Sequence, residues 1–370
     1  MALTNHQSRI TNHYDVVIAG ASFAGLTVAQ RLRARASSER SRRVVLIDKD
    51  PLGGGQTSAC GAPVSIVCAM GAAAAIQQIH DELIIHTPTS RAVWPLPEPF
   101  CTFDYRRFCE LALACAGAEF VRATALGHSG SSVQTTIGDI NGRFLVDATG
   151  WRAVLVGGPA IPYVNRRWMA FGIETEVACE FEPGLHFYFL PDVRDGYAWV
   201  FPCGKGVRFG VLSYPGRTKL GRALEGFVER FGLRSGQIHG GYLASGLRPP
   251  VVETIFVVGD ASGQCLPLTG EGIRTAVRAG FKCGGLLQQV LDRELTLEEA
   301  ARAYRTFIEG SRRRFRALLW GNIALLALPL PMIAALAGFL ARPKPLRVLM
   351  THYLGIFSEV EPRAWGFHTA

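Results

Sequence analysis

The run Tyr14-Asp-Val-Val-Ile-Ala19-Gly20-Ala-Ser22-Phe23-Ala24-Gly25 decides how the chain begins to fold. An apolar run of strand length, Tyr14 to Ala19, passes through a glycine-rich turn into a helical pattern from Ala24 to Arg35, with Leu26, Ala29 and Leu32 on one side. Gly20 permits the tight turn, small Ser22 lets backbone amides approach a pyrophosphate, and Gly25 lets the helix pack closely on the strand. The amides of the helix N-terminus favour negative charge. A second strand, Val44 to Ile47, ends at Asp48, 23 positions after Gly25, where a ribose hydroxyl is met in dinucleotide folds. Asp48 in place of arginine disfavours a 2′-phosphate, so the nucleotide expected here is FAD or NAD rather than NADP.

Further along, Val146-Asp147-Ala-Thr-Gly150, Val257-Val258-Gly259-Asp260 and Pro267-Leu-Thr-Gly270-Glu271-Gly272-Ile273 each stand where a buried strand ends or a helix opens. Together with the N-terminal motif they resemble the flavoprotein superfamily of the p-hydroxybenzoate hydroxylase type, and within it the geranylgeranyl reductase family. The likeness spans residues 14 to 290. It implies FAD, with Gly259 and Asp260 at the ribityl and pyrophosphate portion and Gly270 to Ile273 opening a helix toward the pyrimidine edge of the flavin. Arg106, after the strand end Phe103-Asp104, resembles the arginine placed near the flavin phosphates. Lys49 adjoins the ribose position. Cys60-Gly61 matches a Cys-Gly beside the flavin, and Cys60 is the residue the resemblance offers as catalytic; a buried structural thiol is the competing reading.

The family motif P-x-x-Y-x-W-x-F-P lines a prenyl cavity. Its core survives as Tyr197-Ala-Trp199-Val-Phe201-Pro202, although Arg194 replaces the leading proline and the following G-x-G keeps only Gly210. Strand alternation puts Tyr197, Trp199 and Phe201 on one face, an aromatic wall suited to an isoprenoid.

The expected fold is α/β, α+β overall: a Rossmann-like FAD-binding domain with an inserted antiparallel-sheet substrate domain and a helical C-terminal region. The FAD-binding domain is read as residues 1–70, 101–155 and 248–291. Residues 71–100 and 156–247 form the substrate sheet, including runs at Phe171 to Val177, Leu185 to Leu190, Tyr197 to Phe201 and Val207 to Leu212. Residues 292–370 are the apolar helical region.

At 370 residues, 48% hydrophobic and 19% charged, the chain is globular and apolar rather than disordered. Nine cysteines without a CxxC pair or a Cys/His cluster argue against a disulfide framework and against a zinc site. The opening, Met1 to His13, has no apolar run of the secretory kind, which reads as cytoplasmic. The formal charge of +9 gathers partly at Arg40, Arg42 and Arg43 and at Arg312, Arg313, Arg314 and Arg316. No nucleic-acid motif accompanies them. From Ala317 to Leu340 the chain runs 24 residues without a charge, interrupted by Pro329 and Pro331. Three readings stand: shallow embedding in a membrane surface through residues 312–340, burial against the protein, and a single span.

The resulting functional expectation is reduction of carbon–carbon double bonds in a prenyl or other hydrophobic lipid, by hydride transfer from flavin N5. A flavin monooxygenase, hydroxylase or epoxidase, is the alternative. A halogenase is less favoured, because no lysine falls between Asp50 and Gly204. A non-catalytic flavin carrier at a membrane surface is the third. The electron donor is left open between NADPH and an electron-transfer protein, as is the oligomeric state.

Overall fold

In the computed structural model, residues 13–33, 42–157, 163–193 and 195–358 are described. The expectations placed on residues 1–12 and on Arg35, Arg40 and Arg194 fall outside them. The first part of the chain forms β1 (Tyr14–Ala19), α1 (Phe23–Arg33), β2 (Val44–Asp48), β3 (Gly61–Pro63), α2 (Val64–Ala69), β4 (Ile76–Thr87) and β5 (Ser90–Phe103). Then follow α3 (Tyr105–Ala116), β6 (Glu119–Arg122), β7 (Ala125–Ser129), β8 (Ser132–Thr135) and β9 (Ile140–Asp147). The middle holds β10 (Met169–Val177), β11 (Leu185–Tyr188), β12 (Gly196–Cys203), β13 (Gly206–Ser213), α4 (Gly221–Glu229), β14 (Ile238–Ala244), β15 (Val251–Val252) and β16 (Ile255–Val257). Four helices close the described chain: α5 (Ile273–Leu291), α6 (Leu297–Ala327), α7 (Leu330–Leu340) and α8 (Pro343–Leu354).

The first sheet runs in the order β15-β16-β9-β1-β2-β6, and β16, β9, β1, β2 and β6 are mutually parallel. Val16, Val17 and Ile18 are fully buried, as expected of a central strand covered on both faces. Helices α1 and α5 pack on one side, where Gly280 and Gly284 let α5 approach the α1 backbone at Ala24 and Val28. The other sheet, β14-β10-β13-β12-β11-β4-β5-β3, is antiparallel except where β11 pairs parallel with β4. The fold is the α/β architecture with a second sheet and a helical C-terminal region.

Gly61 and Ala62, assigned in sequence to the nucleotide-binding unit together with Cys101 and Thr102, pair with those two residues in the second sheet. Pro95, Pro97 and Pro99 interrupt β5 and hide its strand character in the sequence, since proline removes ladder donors.

α6 opens on a capping box between Thr296 and Glu299 and runs without interruption to Ala327. It stops before Pro329, which starts α7. The charge-free run is therefore two helices with a bend. No described helix is long and apolar enough to cross a membrane, which removes the single-span reading.

Candidate functional site

Both sheets, α5 and the C-terminal helices surround one cavity of about 1070 Å³. This exceeds the ordinary range for a single small ligand, about 300–1,000 Å³. One end is polar and walled by backbone. Gly20, at φ +108°, turns the chain from β1 into α1, and a Cβ there would lie 2.1 Å from the Ala148 carbonyl oxygen. A Cβ on Gly25 would lie 2.0 Å from the Gly20 carbonyl oxygen, so α1 packs closely only because neither residue has a side chain. Asp48 accepts from the Ala21 amide at 2.8 Å and the Asp50 amide at 3.1 Å, which fixes the carboxylate beside the turn with lone pairs to spare.

Gly20, Ser22, Phe23, Ala24, Asp48, Lys49, Gly61, Gly150, Gly259, Asp260, Gly270, Glu271, Gly272 and Ile273 all line this cavity. Gly25 lies behind Gly20. Asp147 does not reach the wall: fully buried, it accepts from Thr149 N and Oγ1 and from the Leu155 and Val156 amides, knotting the loop that carries Ala148 to Gly150. Burial raises its pKa against the pull of those hydrogen bonds. Arg106 is exposed and absent from the wall; its backbone packs under Gly53. Its neighbour Tyr105 lines the cavity instead and donates to Ser22 Oγ at 3.0 Å. Residues one apart on a helix point in different directions, so the motif alone did not separate them.

Cys60 is likewise behind the wall formed by Ala59 and Gly61. It is fully buried at φ +52°, with Sγ 3.4 Å from the Ser58 carbonyl oxygen, and burial raises its pKa far enough to keep the thiol neutral. No nucleophilic or proton-donating role is supported by this placement.

Asp260 is half-buried where the single helical turn 259–262 meets β14, and it accepts from the Ala244 amide at 3.1 Å. Burial lifts its pKa to about 6, opposed by that hydrogen bond and by Arg248. The turn before α5 is gripped from the second sheet: Tyr197 Oη donates to the Thr269 carbonyl at 2.5 Å, and Tyr214 Oη to the Leu268 carbonyl. From the other side, buried Arg274 pairs with Glu271 at 2.8 Å and donates to the Tyr353 and Leu354 carbonyls, while Tyr353 Oη donates to Glu271. The end of α8 is thus latched to the glycine turn.

The remaining wall is apolar. Tyr197, Trp199 and Phe201 face the cavity, whereas Pro202 does not; its carbonyl accepts from Thr102 at 2.6 Å and lies 3.1 Å from His80 Nε2. Phe171, Phe187, Phe189 and Trp94 join the aromatic wall, and the alternation of Phe187 and Phe189 was visible in the sequence. Glu174 is a buried carboxylate in this wall that the sequence did not single out. The far end is closed by Gly321, Leu325 and Leu328 of the α6 end, Ile333 and Ala337 of α7, and Met350 and Leu354 of α8.

Comparison with known proteins follows the same lines. No family model matches the chain. It is 31% identical over 131 residues to the digeranylgeranylglycerophospholipid reductase of Methanocaldococcus jannaschii, covering 32% of this chain and 33% of the relative. It is 24% identical over 347 residues to digeranylgeranylglycerophospholipid reductase 3 of Methanosphaera stadtmanae, covering 80% and 82%. The match thus spans about a third of the length of the first of these relatives and most of the second. Among solved structures, a geranylgeranyl bacteriochlorophyll reductase-like protein of Thermoplasma acidophilum superposes at TM-score 0.80 with 17% identity, covering 96% of this chain and 99% of that one. The chain shares its fold with that reductase-like protein over nearly its whole length. The flavin-dependent brominase Bmp2 shares the fold at TM-score 0.72 and 16% identity, covering 95% and 97%. The bare backbone at Gly20 and Gly259, the carboxylate of Asp48 and the N-terminus of α5 line one end of the cavity, a donor set whose chemistry fits a dinucleotide such as FAD.

Proposed function

We propose that the chain uses FAD to reduce carbon–carbon double bonds of a prenyl or other hydrophobic lipid. The observation that carries this reading is the single cavity: the dinucleotide trough runs into an aromatic wall, and that wall runs into the apolar lining of α6, α7 and α8. Reduced FAD would supply a hydride from N5 to one alkene carbon, and a proton would complete the other.

The chain's own residues then have these tasks. Gly20, Ser22, Phe23, Ala24 and Gly25 hold the pyrophosphate at the start of α1, and Asp48, beside Lys49, holds the ribose. Gly259 and Asp260 bind the ribityl region. Gly270, Glu271, Gly272 and Ile273 bring first-turn amides of α5 to the edge of the ring where reduction gathers negative charge. Tyr197, Trp199 and Phe201 hold the alkene chain and exclude water. Among the described residues, Lys49 is the only lysine lining the cavity, at the nucleotide end, which weighs against halogenation. NADPH or a small electron-transfer protein would reduce the flavin.

Peripheral docking on an anionic membrane belongs to the same reading. Trp320, Ile323, Met332, Leu336, Phe339 and Val348 are exposed on α6 to α8, the helices that line the cavity. Arg312, Arg313, Arg314, Arg316, Arg342, Lys344 and Arg347 flank them, and no Asp or Glu falls between Gly310 and Ser358. An apolar patch rimmed by cations is the signature of an interfacial helix on anionic lipid.

The test is anaerobic. Flavin-loaded protein is reduced chemically, a polyprenyl lipid is added, and the lipid is weighed by mass spectrometry. A gain of two hydrogens per double bond with flavin reoxidation supports the reading. No change in the lipid without air, followed by gain of an oxygen atom once air is admitted, replaces it with the monooxygenase reading.

A further inference from the structure

We propose that His86, Glu182 and His186 form a binding site for a divalent transition ion of the zinc class, on the face of the second sheet turned away from the flavin cavity. Along β4 and β11, Leu83, Ile85, Leu185 and Phe187 line the cavity, so strand alternation sends His86 and His186 to the opposite face. There they flank the parallel pairing of the second sheet, with Ile84 opposite His186 and His86 opposite Tyr188.

One donor atom from each of the three side chains falls within 4.8 Å of the others. His86 Nε2 is 3.0 Å from His186 Nδ1, and Glu182 Oε1 is 3.9 Å from that same Nδ1. Two donors at 2.0–2.1 Å from a tetrahedral ion stand about 3.4 Å apart, so these separations bracket what an ion would impose.

The tautomer of His186 favours ligation. His186 Nε2 lies 3.2 Å from the Glu182 backbone carbonyl, an acceptor only, so the proton sits on Nε2 and Nδ1 presents a bare lone pair to His86 and Glu182. A backbone carbonyl on the non-ligating nitrogen is the usual outer partner of a metal-bound histidine. His86 is steadied by stacking on Tyr188 at 4.2 Å, and His186 by the edge of Phe181 at 5.0 Å.

Glu182 is turned inward by its surroundings. Arg91 takes its Oε2 at 2.9 Å, which leaves Oε1 toward the histidines; the guanidinium is also the cation set against the ion here. The loop carrying Glu182 is tied down where the Gly184 amide donates to His80 Nδ1 at 3.1 Å. His80 is not a fourth ligand, since its Nε2 faces the Pro202 carbonyl at 3.1 Å. With Glu182 half exposed, the fourth position opens to water, giving three protein ligands and a solvent ligand. The donors of the two strands sit about a hundred residues apart in the chain, so no spacing rule reveals them.

Without an ion, a single N–H···N hydrogen bond between the two histidines would account for the 3.0 Å contact and would leave Glu182 to Arg91 alone. Tag-free, flavin-loaded protein treated with chelator and titrated with Co²⁺ alone separates the two. The expected result is one equivalent bound, ligand-field absorption to the red of the flavin, and a higher melting temperature with either Co²⁺ or Zn²⁺. His86→Gln and His186→Gln should each weaken binding by at least about tenfold. Glu182→Gln, on an exposed loop, tests the third ligand without threatening the fold and should also weaken it. Failure to bind one equivalent, or binding and melting shifts that survive all three substitutions, overturns the proposal.

Discussion

The indole Nε1 of Trp199 donates to Glu174 Oε2 at 2.7 Å, and His239 Nε2 stands 3.1 Å from the other carboxylate oxygen. The ring lies flat over Gly210, where a Cβ would come within 2.0 Å of Trp199 Cζ2. Trp199 is thus fixed by a partner at its polar end and by the absence of one beneath its face. Glu174→Ala leaves a buried N–H unpaired, at a cost of about 1–3 kcal/mol. Flavin content should be retained while KM for an apolar substrate rises, read by urea unfolding and steady-state kinetics; unchanged values in both would show that the wall does not need this anchor.

A second prediction concerns the nucleotide trough. Gly20→Val places a side chain against the Ala148 carbonyl and in a backbone conformation that β-branched residues avoid. The purified variant should be colourless, or lose FAD on gel filtration that the parent protein retains. Yellow protein with parental flavin content would contradict the assignment of Gly20 to the cofactor turn.

The strand-turn-helix at Gly20, Asp48 at the end of β2 and the turn before α5 were legible in sequence because each depends on residues adjacent in the chain. Glu174 was not: a lone glutamate in a strand has no local signature, and its meaning comes from Trp199 and His239 on other strands. Arg106 and Cys60 were drawn from motif position, which fixes the backbone but not whether a side chain reaches the cavity; Tyr105 lines it in place of Arg106, and of the Cys60-Gly61 pair only Gly61 does. The apolar character of residues 317–340 was plain from composition. That Leu325, Ile333 and Leu340 face the cavity while Trp320 and Met332 face outward follows only from how α6 and α7 pack.

A third prediction follows from Asp260. Its folded pKa, about 6, lies above the unfolded value of about 3.9, so the folded state binds the extra proton. The stability this contributes is fully present below about pH 4 and is lost as pH rises through 6, by up to roughly 3 kcal/mol. In flavin-free protein, urea midpoints of the parent should fall relative to Asp260→Asn between about pH 4 and 7. Parallel curves would mean that Asp260 is already ionised in the fold.

The last prediction separates the two forces proposed at the membrane surface. Arg313 and Arg316 are exposed on α6, and Trp320 lies one turn beyond Arg316 with 67% of its surface exposed. Charge attraction to anionic lipid contributes roughly 1 kcal/mol per Lys or Arg, so Arg313→Ser with Arg316→Ser should weaken binding to anionic vesicles about thirtyfold. The same pair should have little effect on vesicles of neutral lipid. Trp320→Ser removes apolar insertion instead, and should weaken binding to both kinds of vesicle, with a loss that high salt does not erase. Co-sedimentation across a salt series distinguishes the two variants. If neither weakens binding, the exposed faces of α6 and α7 are not what meets the lipid, and the cavity must be reached from another side.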